Sequence, residues 1–226
     1  MKKQHLIVFD IDDTLTKSEN QHQKAYVDTM RHFGITNINQ NWKGYQHHTD
    51  SFILKENYEA NLKKPFDFSF IPGFEKEMPR SMLTLSKTTE ILGAKNIVDF
   101  FMRETDYAIC FATGSLLAPA LVKLEHAAIN FVPELVVASN TIFDREGIVK
   151  KAIEKAKIYF QIDTFETIIS VGDGIWDLRT AKNLGVHFLG IGEKNYTDFE
   201  KENIKSHIVD WTGFDFEKVQ QELQII

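Results

Sequence analysis

Leu6-Ile7-Val8-Phe9-Asp10-Ile11-Asp12-Asp13-Thr14-Leu15 is the stretch from which the rest of the chain can be read. The apolar run Leu6 to Phe9 has the composition of a short strand buried on both faces. It stops at three aspartates within four residues, more charge than a buried strand can hold. The acids are therefore expected at the strand's C-terminal end, where open parallel α/β sheets place their ligands. In a strand, Asp10 and Asp12 would point the same way, because side chains alternate with period two. Two carboxylates aimed at one spot repel unless a cation joins them or one holds a proton. Hard oxygen donors suit Mg²⁺, which takes one or two carboxylates together with substrate phosphate. Taken alone, Asp12-Asp13-Thr14 reads equally well as a solvated turn or a helix N-cap.

Downstream, the alternation of strands and helices becomes regular from Tyr107. Tyr107–Ala112 reads as a strand running into Thr113-Gly114-Ser115, followed by a helix through Leu121-Val122-Lys123-Leu124. Leu135–Ala138 is the next strand, and a helix is expected from about Asp144, with Ile148, Ala152, Ile153 and Ala156 on its apolar face. Thr167–Val171 is a strand broken by Gly172-Asp173-Gly174, then a helix through Leu178, Ala181 and Leu184. His187–Ile191 and Ser206–Val209 complete the strands, and a helix near Phe214–Leu223 closes the chain. This succession predicts an α/β fold, a Rossmann-like, doubly wound parallel sheet with right-handed crossovers. Its strand ends are not random. They carry Asp10 and Asp12, then Thr113 with Gly114, then Asp173 and Asp177, four residues apart where a helix starts. A turn would explain any one of these, and helix-terminal charge alone would explain Asp173 and Asp177. A shared edge of acids and a hydroxyl asks for a site.

Between the first strand and Tyr107 lies a polar and aromatic region with apolar residues at helical spacing: Tyr26, Met30 and Phe33; Leu54, Tyr58 and Leu62; Ile97, Val98 and Phe101. Gly34, Lys64-Pro65 and Ile71-Pro72-Gly73 punctuate it. The expected organisation is a core of residues 1–15 and 103–226 with an inserted α-helical cap over residues 16–102. The cap is expected to act as a mobile lid, hinged near Thr14–Lys17 and around Met102–Asp106. Within it, His47-His48-Thr49-Asp50 opens a helix. Thr49 or Asp50 would be its N-cap, and His47, His48 and Asp50 are either surface groups or substrate contacts.

The chain has 226 residues and a net charge of −6, which argues against a broad nucleic-acid or anionic-membrane surface. Cys110 is the only cysteine, so no intrachain disulfide forms, and a reducing cytoplasm is the expected location. Its apolar neighbours suggest a buried, inert thiol. No apolar run is long enough to span a bilayer. The aromatic-rich cap could support a homodimer.

Asp10-Ile11-Asp12-Asp13-Thr14 resembles the Asp-x-Asp-x-Thr signature of the haloacid dehalogenase-like hydrolases. Phe111-Ala112-Thr113-Gly114 is similar to the family's second motif and Gly172-Asp173-Gly174-Ile175-Trp176-Asp177 to its fourth, in matching order across the whole core. The insert is placed like the first-type cap of phosphoglycolate phosphatase and β-phosphoglucomutase relatives. This resemblance implies that Asp10 is a nucleophile forming an aspartyl-phosphate and that Asp12 is the acid and base. It implies Mg²⁺ held by Asp10, the Asp12 carbonyl and Asp173, with Asp177 close behind. It assigns phosphoryl binding to the Thr113 hydroxyl and to the N–H groups of Gly114 and Ser115. The basic third-motif residue departs from the common Lys-Pro pair. Arg145, in a first helical turn, is preferred, with Lys151 as the alternative and Lys150 facing solvent. An acid at position 12 favours phosphoryl chemistry over dehalogenation. The expected activity is hydrolysis of a small phosphorylated metabolite. The alternatives are a phosphosugar mutase and a non-catalytic module that binds a phosphate ligand.

Overall fold

The structure is a computed structural model that describes residues 2–224. The chain begins with strand β1 (His5–Phe9), then a short strand β2 (Thr16–Lys17). Three helices follow, α1 (Glu19–His32), α2 (Asp50–Leu62) and α3 (Ile71–Leu83), before a second short strand, β3 (Thr89–Glu90). Helix α4 (Ala94–Arg103) leads to β4 (Tyr107–Ala112), α5 (Leu117–His126), β5 (Val136–Val137) and α6 (Arg145–Phe160). Then come β6 (Ile168–Gly172), α7 (Ile175–Leu184), β7 (His187–Ile191), α8 (Tyr196–Lys201), β8 (His207–Ile208) and α9 (Phe216–Glu222).

Six strands form one parallel sheet in the order β5-β4-β1-β6-β7-β8. The chain steps outward from β1 to β4 and β5, then returns to the other side of β1 as β6. This reversal of winding opens a crevice at the carboxyl end of β1. Alternation along β1 divides the core. Ile7 and Phe9 face α4, α5, α9 and Trp211, while Leu6 and Val8 face α6. Cys110 is fully buried, and burial pushes its thiol pKa upward, as suits an inert core residue.

The insert has its own apolar cluster, in which Tyr26 and Met30 of α1 meet Leu54 of α2 and Phe74 and Met78 of α3. Ile71-Pro72-Gly73 opens α3 with proline in the first turn, where the missing N–H costs nothing. Helix α4 falls almost wholly within residues 16–102 but packs on the sheet, because Ile97, Val98 and Phe101 join Ile7 and Phe9 in one cluster. The crossings between insert and core pair with each other instead: β2 and β3 run antiparallel, Thr16 opposite Glu90 and Lys17 opposite Thr89. Met102–Asp106, expected as a hinge, is tied to the N-terminal segment in the structure. The Lys3 ammonium donates to the carbonyls of Phe101, Met102 and Thr105 at 3.0, 3.2 and 2.7 Å, clamping the C-terminus of α4.

Candidate active site

Asp10 lies one residue beyond β1, and its N–H still donates to Val171 O at 2.9 Å, so its backbone remains part of the sheet. The chain turns immediately afterwards. Leu15 and Thr16 both donate their N–H to Ile11 O at 3.0 Å, and Asp13 adopts a left-handed φ of 53°. Ile11 and Leu15 are fully buried and anchor this loop. Asp13 is used structurally: its Oδ1 accepts from the N–H groups of Ser18 and Glu19 at 3.3 and 3.2 Å, capping the start of α1.

The turn separates the two acids that strand alternation would have aimed together. The Asp10 carboxylate joins Asp173 and Asp177, each offering an oxygen within 4.8 Å of the others, and all three are buried. Asp177 sits in the first turn of α7, and its Oδ2 accepts from Gly174 N–H at 3.1 Å. A Cβ at Gly172 would run into the Asp177 side chain, so only glycine fits the end of β6. Asp173 is fixed through its carbonyl, which accepts from Asn195 Nδ2 at 2.8 Å. The Asp12 side chain instead points toward α5. Its two oxygens accept from Lys123 Nζ at 2.6 and 2.8 Å, and Oδ2 also accepts from Ser115 Oγ at 2.7 Å. Ser18, at the entry to the insert, donates its hydroxyl to Asp12 Oδ1. Both oxygens of the Asp12 carboxylate are thus hydrogen-bonded elsewhere, and neither belongs to the group of three acids.

Arg145 is the basic residue that hydrogen-bonds to the group of acids. Asp144 caps α6 by accepting Gly147 N–H at 2.7 Å, which fixes the first turn where Arg145 stands. Its Nη2 donates to Asp10 Oδ1 at 2.9 Å and to Asp177 Oδ1. Lys151, the alternative for this role, is exposed on α6, as is Lys150. Position along the helix decides between them: only the first turn of α6 reaches the strand ends. Gly114 is pressed between insert and core. A Cβ there would sit 2.5 Å from the His48 carbonyl oxygen and 2.8 Å from Arg145 Nη1.

The phosphoryl-binding donors expected from the second motif are arranged differently. Thr113 is fully buried and its Oγ1 accepts from Ser115 N–H at 3.1 Å, so these two groups face each other. Gly114 and Ser115 line the cavity, and Thr113 lies behind them.

Charge and burial shift the acids in opposite directions. Burial pushes Asp10 up to about 7, with Arg145 opposing and Asp177 and Asp12 adding to the rise. Burial, with Asp177 and Asp10 nearby, also raises Asp173. For Asp12, burial is outweighed by the Lys123 charge, and its pKa falls below the ordinary carboxylate range. Arg145 stays firmly protonated, since Asp177 and Asp10 overcome the effect of burial. Three buried carboxylates, an all-oxygen donor set whose mutual repulsion a cation would relieve, fit Mg²⁺.

A cavity of about 150 Å³ stands over this floor. The insert supplies its roof through His22, Tyr26, Trp42, His48 and Asp50, and Trp176 of α7 forms one wall. His48 stacks on Trp176 at 4.4 Å, and burial lowers its pKa. His47 is not part of the lining and packs edge-on against Phe52 at 4.8 Å. Asp50 is more than a helix-terminal acid: it accepts from Leu116 N–H at 2.9 Å and pairs with His22 Nε2 at 2.8 Å. Lys123, His22 and Trp176 were not singled out as site residues from sequence. Only Lys123 left a signal there. It stands three residues after Ala120 and four before Ala127, on the face that α5 turns to the core.

The haloacid dehalogenase-like hydrolase family model matches residues 7–191. No curated protein matches the chain. Among solved structures, a family IA, variant 3 hydrolase of Entamoeba histolytica HM-1:IMSS is similar at TM-score 0.70 and 17% identity, covering 97% of this chain and 99% of that one. CbbY of Rhodobacter sphaeroides in complex with phosphate follows at TM-score 0.66 and 15% identity, over 93% and 96% of the two chains. The β-phosphoglucomutase of Clostridium difficile matches at TM-score 0.64 and 15% identity, over 97% of each. With the family model matching most of the chain, including the insert and the ends of β1, β4 and β6, the chain belongs to the haloacid dehalogenase-like hydrolases.

Proposed function

We propose that this chain is a Mg²⁺-dependent phosphatase that hydrolyses a small phosphate monoester through a phosphorylated Asp10. The observation that carries the reading is the Asp10 carboxylate at the cavity floor, 2.9 Å from the Arg145 guanidinium and grouped with Asp173 and Asp177. A dianionic ester cannot approach a carboxylate unless fixed positive groups offset the repulsion. Asp10, Asp173 and the Asp12 carbonyl would hold Mg²⁺, with Asp177 behind them. When bound, the ion supplies charge neutralisation for the phosphoryl oxygens.

The chain's own groups then have distinct tasks. Arg145 favours the ionised form of Asp10 against burial and holds it at the cavity floor, and its remaining N–H groups are available to the phosphoryl oxygens. Asp10 attacks phosphorus as the bond to the leaving oxygen breaks, and the Asp12 carboxyl gives that oxygen its proton, becoming the carboxylate. Water then attacks the phosphorus of the aspartyl-phosphate, losing a proton to the Asp12 carboxylate and freeing Asp10 and inorganic phosphate. The roof of His22, Tyr26, Trp42 and His48 keeps bulk water from the nucleophile and contacts the leaving group.

A panel of phosphate monoesters tested with Mg²⁺, with Ca²⁺ and with excess chelator examines the proposal. It requires phosphate release with Mg²⁺, inhibition by Ca²⁺, whose looser and larger coordination misplaces the carboxylates, and loss of activity in chelator. Full activity in chelator would remove the metal from the account. Absence of release from every ester would remove the phosphatase reading.

A further inference from the structure

Lys123 is fully buried, yet it contacts neither the carboxylate cluster nor the nucleophile. Its ammonium has three donors and meets three acceptors, Asp12 Oδ1 at 2.6 Å, Asp12 Oδ2 at 2.8 Å and Ser115 Oγ at 2.7 Å. Ser115 Oγ in turn donates to Asp12 Oδ2 at 2.7 Å, closing a triangle between the loop after β1 and the loop after β4. Lysine is among the residues least often fully buried, because its long stem must be fixed and its charge desolvated. On a helix whose other inward residues include Pro119, Ala120 and Leu124, an apolar side chain would fill the position. The charge is placed where one specific carboxylate needs an aimed partner.

We propose that Lys123 is a positioning residue for hydrolysis of the phosphorylated enzyme. It fixes the Asp12 carboxylate against the Ser115 hydroxyl, so that Asp12 faces the water that attacks phosphorus. The idea rests on the phosphatase reading and extends it. Lys123 touches no substrate and acts through Asp12. Without it, only the Ser18 and Ser115 hydroxyls hold the Asp12 carboxylate, and the Oδ that should take the proton is less firmly placed. The first step, attack by Asp10, is unaffected when the leaving group departs without a proton.

Acetyl phosphate is the probe that separates the steps, because acetate leaves unprotonated. Rapid quench with acetyl phosphate and Mg²⁺ reads phosphorylation of Asp10, and the decay of that adduct reads the second step. Lys123→Met is expected to phosphorylate at the wild-type rate with unchanged KM. Its adduct should decay more slowly by roughly 10²-fold, the lower end of what general acid–base groups contribute. If Lys123→Met fails to fold, comparing Asp12→Asn with Asp12→Asn/Lys123→Met, in which neither charge remains, answers the same question. A residue acting through Asp12 predicts equal rates for both steps in those two proteins. A further loss in the double variant, a raised KM or slowed phosphorylation would mean that Lys123 merely supports the fold or the Ser115 loop, and would overturn the proposal. A wild-type chain that forms no adduct and turns over no ester would instead remove the phosphatase reading, and this inference with it.

Discussion

Arg145 separates two carboxylates that would otherwise repel, so its removal should damage the site in a way no other basic residue can imitate. Truncating it to alanine is expected to lower kcat roughly 10²–10³-fold, as loss of an aimed electrostatic donor does in other enzymes. Lys151→Ala, on the solvent face of the same helix, should change kcat by less than about twofold. Steady-state kinetics of the two variants measure this, and equal effects would contradict the assignment. The Asp10 shift makes a second prediction at this scale. A carboxyl with a raised pKa is protonated in the folded chain where the unfolded chain is ionised. Its stabilising contribution is therefore full below its ordinary value of 3.8 and is lost as pH rises to about 7. Asp12 is shifted the other way, and its contribution changes only in stronger acid. Melting temperature in chelator should thus fall across pH 4 to 7 on this account. The slope should flatten in Asp10→Asn and with saturating Mg²⁺, which binds only the folded chain. Identical slopes in all three conditions would contradict the electrostatic description.

At the scale of elements, the sheet was legible because its strands are apolar runs closed by small or acidic residues, and β4 and β7 begin and end where the pattern places them. The site's anchors were legible for the same reason: Asp10 and Asp173 follow directly from strand ends, and Asp177 stands in the first turn of the helix after β6. Arg145 could be preferred over Lys151 because only a first helical turn approaches that edge. The short strands β2 and β3 were not readable, since two residues each give no periodicity. Helix α4 was legible as a helix but not as part of the core, because an apolar face does not name the surface it packs on. Asp12 was legible as a site residue, but its direction was not: the turn at Asp13 depends on a left-handed residue that no periodic pattern announces. The close approach of α2 to the β4 loop predicts an effect at Gly114. Gly114→Ala should force His48 and Arg145 aside and reduce kcat, while the core stays folded by circular dichroism. Wild-type kcat in that variant would show that the insert does not press on this loop.

At the scale of the whole molecule, hydrogen bonds join the insert to the core along the edge of the site. The N-terminus of α2 is tied to the core by Asp50 N–H to Gly114 O at 2.8 Å, Thr49 Oγ1 to Phe143 O at 2.6 Å and Ser51 Oγ to Ile142 O at 2.8 Å. From the core side, Leu116 N–H donates to Asp50 Oδ2 at 2.9 Å, and Ala118 N–H to Glu75 Oε1 at 2.7 Å. Each such bond contributes roughly 0.5–1.5 kcal/mol net, so lifting the insert as one body costs several kcal/mol. Leu116 also stands in the insert's own apolar cluster. Hydrogen exchange should therefore find the Leu116 and Ala118 amides nearly as protected as those of β4. Rapid exchange there, with β4 protected, would restore a freely swinging lid.

The claim on which all of this converges is that Asp10 becomes covalently phosphorylated. Acid quench during turnover of acetyl phosphate with Mg²⁺, followed by peptide mass spectrometry, tests it directly. The account predicts a phosphate adduct confined to the peptide bearing Asp10, formed fast enough to account for turnover and absent from Asp10→Asn. Turnover without any adduct on that peptide, or turnover that survives Asp10→Asn at a tenth of the wild-type rate or more, would contradict it.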